Sequence, residues 1–402
     1  MPGILDITAA DKALKTYFLE PWRYQLNERS SGLLAQIERN STSVVGKNID
    51  MPFRYGRNGG YGAGNTLPEA NSRKTEHGVW ETKDIYGRIK ISNKVIEASK
   101  SDLGAYANML KTEMDDCLTD VKENYARQVF GDGSGKIATV KSSSVDNTGM
   151  DVSVLTIAPV NGLFGIDVFA EGMLIDIYNS TGSTKRNTNP VEVTIVDDVE
   201  SKITLSVKDT NIAENDFITV QNSYNEEMTG LDAIVNAPTL YGLNRSSHKW
   251  LNCQKIAVDG EINELVIQKG MDTARRKAGS VTDIICCSFG VRRAYQYMMQ
   301  SQKRQVNTLN LKGGWTALEY AGGERSIPLM PDQYCPEGTM YLIDSKDFKL
   351  YELADWNWFE RDGAILHRIS NTPAYEAALY KYADLGCSKP RGLVVLTGIT
   401  EH

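Results

Sequence analysis

The stretch from Ser99 to Gly135 constrains this chain more than any other, because it reads as one long amphipathic helix with a marked start and a marked stop. Leu103, Tyr106, Leu110, Met114, Cys117, Val121, Tyr125 and Val129 recur at three- and four-residue steps, which places them on a single face. Ser99 with Asp102 offers a capping pair, and Asp102 suits the positive end of the helix dipole. The run Gly131-Asp132-Gly133-Ser134-Gly135 cannot continue a helix. From Asp102 to Phe130 the helix spans roughly 40 Å. Lys111, Asp115, Lys122 and Glu123 fall on its other face, so on pattern alone it is the core helix of a large domain.

What precedes that helix lacks a core of its own. Lys12 to Leu19 suits a short helix that Pro21 interrupts, and Leu33, Leu34 and Ile37 mark a second turn closed by Asn40-Ser41-Thr42-Ser43. Tyr17, Phe18, Leu19, Trp22 and Tyr24 give this arm more apolar surface than disorder normally carries, so it is expected to lie on something else. Residues 54–70 are glycine-rich but fit no dinucleotide fingerprint, and no strand-then-helix context surrounds them; they read as a loop tip. From Val79 to Ile91 the sequence alternates. Ile85, Gly87, Ile89 and Ile91 point one way, and Tyr86, Arg88 and Lys90 the other, as in a half-buried strand. A two-strand ribbon is marginal alone in water, so residues 55–92 need a neighbour. That neighbour is either another subunit or a later domain of the same chain.

Beyond the helix the character changes. Strand-like runs at Val152–Ile157, Met173–Tyr178, Val191–Val196, Lys202–Val207 and Phe217–Gln221, separated by polar or glycine turns, predict a small inserted β-barrel or sandwich. From Lys141 to Asn222 there are five Lys or Arg against twelve Asp or Glu, which argues against nucleic-acid binding by this unit. Residues 226–402 return to mixed α and β. Helices are expected at Asn263–Lys277, stopped by Gly279, and at Val291–Gln302. Strands are expected at 283–288, Thr339–Ile343, Phe348–Leu353, Ala364–Ile369 and 392–396.

Chemistry is sparse. Gly131 to Lys136 lacks the spacing of a phosphate loop and follows a helix instead of opening one, and there is no G-x-S-x-G elbow. His77, His248, His367 and His402 stand far apart, and His248 with Cys253 is a lone pair without a partner pair. Cys117, Cys253, Cys286, Cys287, Cys335 and Cys387 lack paired spacing and read as reduced, buried thiols, as in a chain made in a cytoplasm. A net charge of −7 gives no general attraction to nucleic acid or anionic membrane. No apolar run is long enough to cross a membrane, and the first residues do not read as a secretory signal. The reading is therefore not an enzyme, with no catalytic, cofactor or metal residues and no cofactor.

The order of parts, and the wording of KDIYGRIKISNKVIEAS before the helix, RQVFGDGSGKIATV at its end, TDIICCSFGVRRAYQYM, GGWTALEYAGGERSIPLMPDQYCPEGTMYLID and the closing LYELADWNWFERDGAILHRISNTPAYEAALYKYADLGCSKPRGLVVLTGI, resemble the major capsid protein of tailed bacteriophages. This is the capsid fold shared with encapsulins and herpesvirus shells. The resemblance implies an α+β fold with an N-terminal arm (1–54), an extended β loop (55–92), a peripheral domain with its spine helix (93–139), the inserted β domain (140–222), more peripheral domain (223–282), an axial domain (283–338), a last peripheral part (339–383) and an axial C-terminal strand (384–402). It also implies self-assembly as hexamers and pentamers into an icosahedral head around double-stranded DNA, without sequence-specific binding and without a membrane. Its setting would be the virion, after assembly in the host cytoplasm.

The arm begins almost at Met1, so a separate scaffolding protein and a portal are the expected partners, in place of a cleaved N-terminal segment. Trp80, Ile85, Tyr86, Arg88 and Ile89 are the expected intersubunit contacts, with Trp80 or Tyr86 packing over a neighbour's spine helix. The alternatives are an encapsulin-like compartment subunit or, from another class, a hydrolase or carbohydrate-binding protein with its site on the β insertion.

Overall fold

A computed structural model of the chain describes residues 31–56, 59, 61–62, 69, 71–94, 103–146, 152–160, 162–209, 211–301, 308–311, 316–321, 326–360 and 363–402. The expected helix at Lys12–Leu19, the aromatic residues of the arm and the capping pair Ser99 and Asp102 lie outside these, as do the side chains of Leu103, Tyr106, Leu110 and Lys111.

A short helix, α1 (Gly32–Gln36), buries Leu33 and Leu34 and leads into β1 (Glu38–Asn40). Asn40 then takes the backbone N–H of Thr42 (3.0 Å) and Ser43 (3.1 Å) on its side-chain oxygen, the local turn that its run of small polar residues favours. Next come β2 (Val44–Val45), β3 (Asn48–Tyr55) and β4 (Lys74–Glu81), an antiparallel three-stranded sheet built around a long hairpin. The hairpin therefore starts within the segment assigned to the arm. Its last expected strand, β5 (Lys83–Ser92), leaves it for another sheet.

The long helix, α2 (Leu103–Gln128), has 26 residues and ends just ahead of Gly131. Met114, Cys117, Val121, Tyr125 and Val129 are buried in the main core, as their spacing predicts, with Cys117 and Val121 against β5 at Gly87 and Tyr125 edge-on to Trp356. In β5 burial alternates without a break: Ile85, Gly87, Ile89 and Ile91 are in, and Tyr86, Arg88 and Lys90 are out. The contact between helix and strand depends on Gly87. A Cβ there would lie 2.5 Å from Val121 Cγ2 and 2.9 Å from Cys117 Sγ, so any side chain would lift the helix off the strand.

The insertion is a closed six-stranded barrel with its own apolar core. Its strands are β6 (Lys136–Asp146), β7 (Val152–Ala158), β8 (Leu174–Tyr178), β9 (Val191–Asp197), β10 (Lys202–Leu205) and β11 (Phe217–Val220), closed in the order β10-β7-β6-β11-β8-β9. Five of the six coincide with the runs read from sequence. The sixth, β6, follows directly on the glycine turn, so the barrel begins slightly earlier than residue 140.

The chain returns through α3 (Leu231–Asn236) and a small ladder of β12 (Thr239–Leu240) and β13 (Leu243–Asn244). Then follow β14 (Gln254–Gly260), α4 (Glu264–Ala278), β15 (Ile284–Cys287), α5 (Phe289–Ser301), β16 (Thr308–Asn310), β17 (Thr316–Ala321), β18 (Ser326–Pro331) and β19 (Met340–Ile343). Asn263 caps α4 by accepting the Val266 N–H at 2.9 Å, and Gly279 ends it in the left-handed region at φ 70°. The last strands are β20 (Phe348–Trp358), β21 (His367–Arg368), β22 (Ala374–Cys387) and β23 (Val394–Ile399). The strand expected at Ala364–Ile369 is reduced to β21.

Two sheets carry the body. The order β14-β23-β19-β15-β18-β17-β16 forms one, and it draws β14 and β19 from stretches assigned by sequence to the peripheral domain. One of its faces sends Ile285, Cys287, Leu329, Leu342, Val394 and Leu396 under α4 and α5. The other sends Ile284, Cys286, Met330, Tyr341, Ile343 and Val395 into the main core. In the second sheet β22 lies between β20 and β5, and β1 joins β20 in parallel register, Glu38 opposite Lys349. The later part of the expected arm, from Ser31 to Asn40, is thus seated on its own chain.

Candidate assembly surfaces

The hairpin rests on a stack of rings supplied by the return segment. Trp80 lies on Tyr241 with centroids 4.0 Å apart and meets Tyr351 edge-on at 5.8 Å, while Phe53 packs between Tyr241 (6.3 Å) and Trp250 (5.2 Å). Tyr241 is itself fixed: its hydroxyl donates to Leu385 O (3.1 Å) and accepts from Cys387 N–H (2.8 Å). Along the strands Lys47 pairs with Glu81 (2.7 Å) and His77 with Asp50 (2.8 Å), both exposed. The base of the hairpin is held firmly by these contacts, and beyond it Tyr61 is fully exposed.

The five residues expected at a subunit contact divide. Ile85 and Ile89 are buried beneath α2, and Trp80 is half-buried in the Tyr241 stack, so these three are covered within the chain. Of the two neighbours open to the ribbon, its own chain covers these three residues, through α2, Tyr241 and β22. Tyr86 (56% exposed) and Arg88 face outward. Tyr86 stands edge-on to Tyr382 at 6.2 Å, Tyr382 is 5.1 Å from Tyr380, and half-exposed Phe359 continues the row at 6.4 Å. Arg88 forms an ion pair with Glu376 beside it. This aromatic row across β5, β22 and the end of β20 escaped the sequence reading. Its only local sign is the two-residue step from Tyr380 to Tyr382.

The root of the barrel is the other constructed place. Gly131–Gly135 leads in and Asn222–Gly230 leads out, and the two segments run in contact. A Cβ on Gly135, which sits at φ 76°, would strike Ser223 O, so only glycine fits there. The outgoing segment is gripped residue by residue. Lys83 Nζ donates to Asn225 O (2.6 Å) and Glu226 Oε2 (3.2 Å). Arg127 clamps Glu227 through both guanidinium nitrogens, one bond at 3.0 Å, with both side chains buried. Gln128 Oε1 accepts Met228 N–H (3.2 Å), and Asp384 accepts Thr229 N–H (2.6 Å) and Oγ1–H (3.0 Å). Burial pushes the Asp384 carboxyl up to about 7 despite those donors.

Reactive groups are few and well hidden. Burial pushes the Cys117 thiol up to about 12 and Cys253 up to about 11, and raises Cys287, Cys335 and Cys387 as well, which keeps these sulfurs as thiols. All six cysteines are free. Among the described residues no group of three His, Cys, Asp or Glu is placed to hold a metal, and no helix is long and apolar enough to cross a membrane. Fully buried Lys381 is matched by Glu352 (2.6 Å) and Asp355 (2.8 Å), a structural ion network under Trp356 and Tyr125.

The sequence matches no protein-family model and no curated protein. Solved structures do resemble it. The capsid asymmetric unit of cyanophage A-1(L) is similar over 92% of each chain, with a TM-score of 0.55 and 12% identity. The holo-SrpI encapsulin complex from Synechococcus elongatus PCC 7942 matches over 92% of this chain and 89% of that one (TM-score 0.44, 9% identity). The capsid of Myoviridae phage XM1 matches over 92% of both (TM-score 0.41, 7% identity). The first of these likenesses defines the fold: the chain has the capsid fold seen in that cyanophage shell, and a closed six-stranded barrel follows its long helix.

Proposed function

We propose that the chain is a shell subunit, the major capsid protein of a tailed phage, whose copies gather as hexamers and pentamers and close around double-stranded DNA. The observation that carries this reading is the capsid fold, shared over 92% of both chains. A hairpin with a firmly held base and exposed Tyr61, and an outward aromatic row with an adjacent ion pair, are the surfaces such a subunit would offer to its neighbours. In this reading Tyr86 and Arg88 touch the neighbour directly, and Trp80, Ile85 and Ile89 hold them from behind. A scaffolding protein and a portal would serve assembly, and the mature location would be the virion.

Electron microscopy of the purified protein, together with analysis of nuclease-protected nucleic acid in particles from infected or expressing cells, tests it. Closed shells that protect DNA of phage length are the expected result. Shells that enclose protein cargo and no DNA would identify a compartment subunit instead. A compact monomer under every condition would overturn both.

A further inference from the structure

Charge is distributed unevenly along this chain. Of its 44 Lys or Arg and 51 Asp or Glu, six and twelve lie in the barrel, from Lys136 to Asn222, which leaves 38 and 39 elsewhere. The body is therefore close to neutral, and a net −6 of the total −7 belongs to the barrel. Inside the barrel the cations are largely spent: Lys185 neutralises buried Asp176 (2.8 Å), Arg186 clamps buried Asp216 (2.8 and 3.0 Å), and Lys202 pairs with Glu200. Asp167, Glu171, Glu192, Asp198 and Glu214 are left on the outer surface. The root described above fixes the direction in which that surface points, through the Arg127–Glu227 clamp, the Asp384–Thr229 bonds and the Gly135–Ser223 contact.

We propose that the barrel is an electrostatic brake on self-association, mounted so that its charge cannot turn away from the barrels of neighbouring copies. The proposal rests on the shell-subunit reading. Like-charged barrels carried at one fixed place on identical subunits approach one another whenever the bodies pack side by side. Their repulsion reaches about 30 Å at 0.01 M ionic strength and only about 8 Å at 0.15 M. Association is then held back in dilute salt and released as salt or bound counter-ions screen the barrels.

The test compares the full chain with the triple variant Glu171→Gln, Glu192→Gln, Glu214→Gln, whose side chains are exposed and outside the barrel's ion pairs; an unchanged melting curve verifies its fold. The assembly threshold is read by light scattering from about 10 to about 150 mM NaCl. The wild-type threshold is expected to fall about tenfold or more. Repulsion scales with the product of the charges, so taking the barrel from −6 to −3 should leave the variant roughly a quarter of that dependence in log units. Equal slopes for the two proteins, or tighter wild-type association at the lowest salt, would overturn the proposal. The second virial coefficient of the unassembled subunit is measured alongside. It should be positive at low salt for wild type and clearly smaller for the variant, and equal values sink the brake. Closed shells missing at every salt concentration would count against the shell reading, while the virial coefficients still decide the brake.

Discussion

Within the barrel, Ser153 Oγ donates to the carbonyl of Asp209, 56 positions along the chain; in the body, the hydroxyls of Tyr86 and Tyr382 meet across 296. The barrel closes with six strands taken in one uninterrupted stretch and an apolar core of its own. The body is stitched from opposite ends of the sequence: β1 to β20, β5 to β22, β14 to β23. Local pairing needs little loop closure, so the barrel is expected to form before the body, whose sheets wait for the last strands. The barrel also holds most of the net charge and the body holds the surfaces proposed for assembly. One chain thus combines a locally paired, acidic unit with a nearly neutral, long-range frame.

The sharpest way to break this contrast is excision. Residues 136–222 alone should give β-type circular dichroism and a cooperative melt, while residues 48–92 alone should give neither. A random-coil spectrum from the barrel piece would show that it borrows stability from the body. Next in size is Glu227→Ala at the junction. It leaves Arg127 buried and unpaired, a loss of about 3–5 kcal/mol that thermal or urea unfolding should register in the body transition. Gly87→Val forces two methyls between β5 and α2 and should cost the body about 3 kcal/mol, with the barrel's own transition unmoved.

Acidity gives a finer test. Asp384 binds a proton in the folded body up to about pH 7, against a usual carboxylate value of 3.8. Between those values the folded state holds a proton that the unfolded state has released, so stability from this group falls as pH rises. From pH 5 to pH 8 the loss is roughly 2–3 kcal/mol, and Asp384→Asn should abolish that part of the slope. The smallest effect is expected from Tyr86→Ala. Exposed and outside the core, it should change monomer stability by less than about 0.5 kcal/mol, while shell yield drops. A lowered monomer melting point with normal shells would remove Tyr86 from the proposed contact.

Where burial follows a local period, the sequence was legible. The inward face of α2, the alternation of β5, the capped α4 and five barrel strands could all be read, because each pattern reports which side chains leave water. What such a pattern does not report is the identity of the covering surface. Ile85 and Ile89 announced a buried face, and nothing near them announced α2 or β22; Trp80 announced a contact, and Tyr241 lies 161 positions later. The 14-residue strand β22 escaped for a related reason. Its inward positions include Lys381, whose neutralising partners Glu352 and Asp355 come from another strand, so the apolar period is interrupted where the structure is most buried.

The contact between Gly135 and Ser223 has a consequence for how such chains diversify. The insertion leaves the body and rejoins it at the same spot, while Leu163 packs into the body core and Phe164 lies under Arg127. A domain whose termini lie side by side can be exchanged there provided that it, or the body, fills the places of these two side chains. For an engineer, that makes the junction a socket for carrying a foreign module on this frame. For a lineage under selection, it lets the appendage change quickly while the frame stays constant.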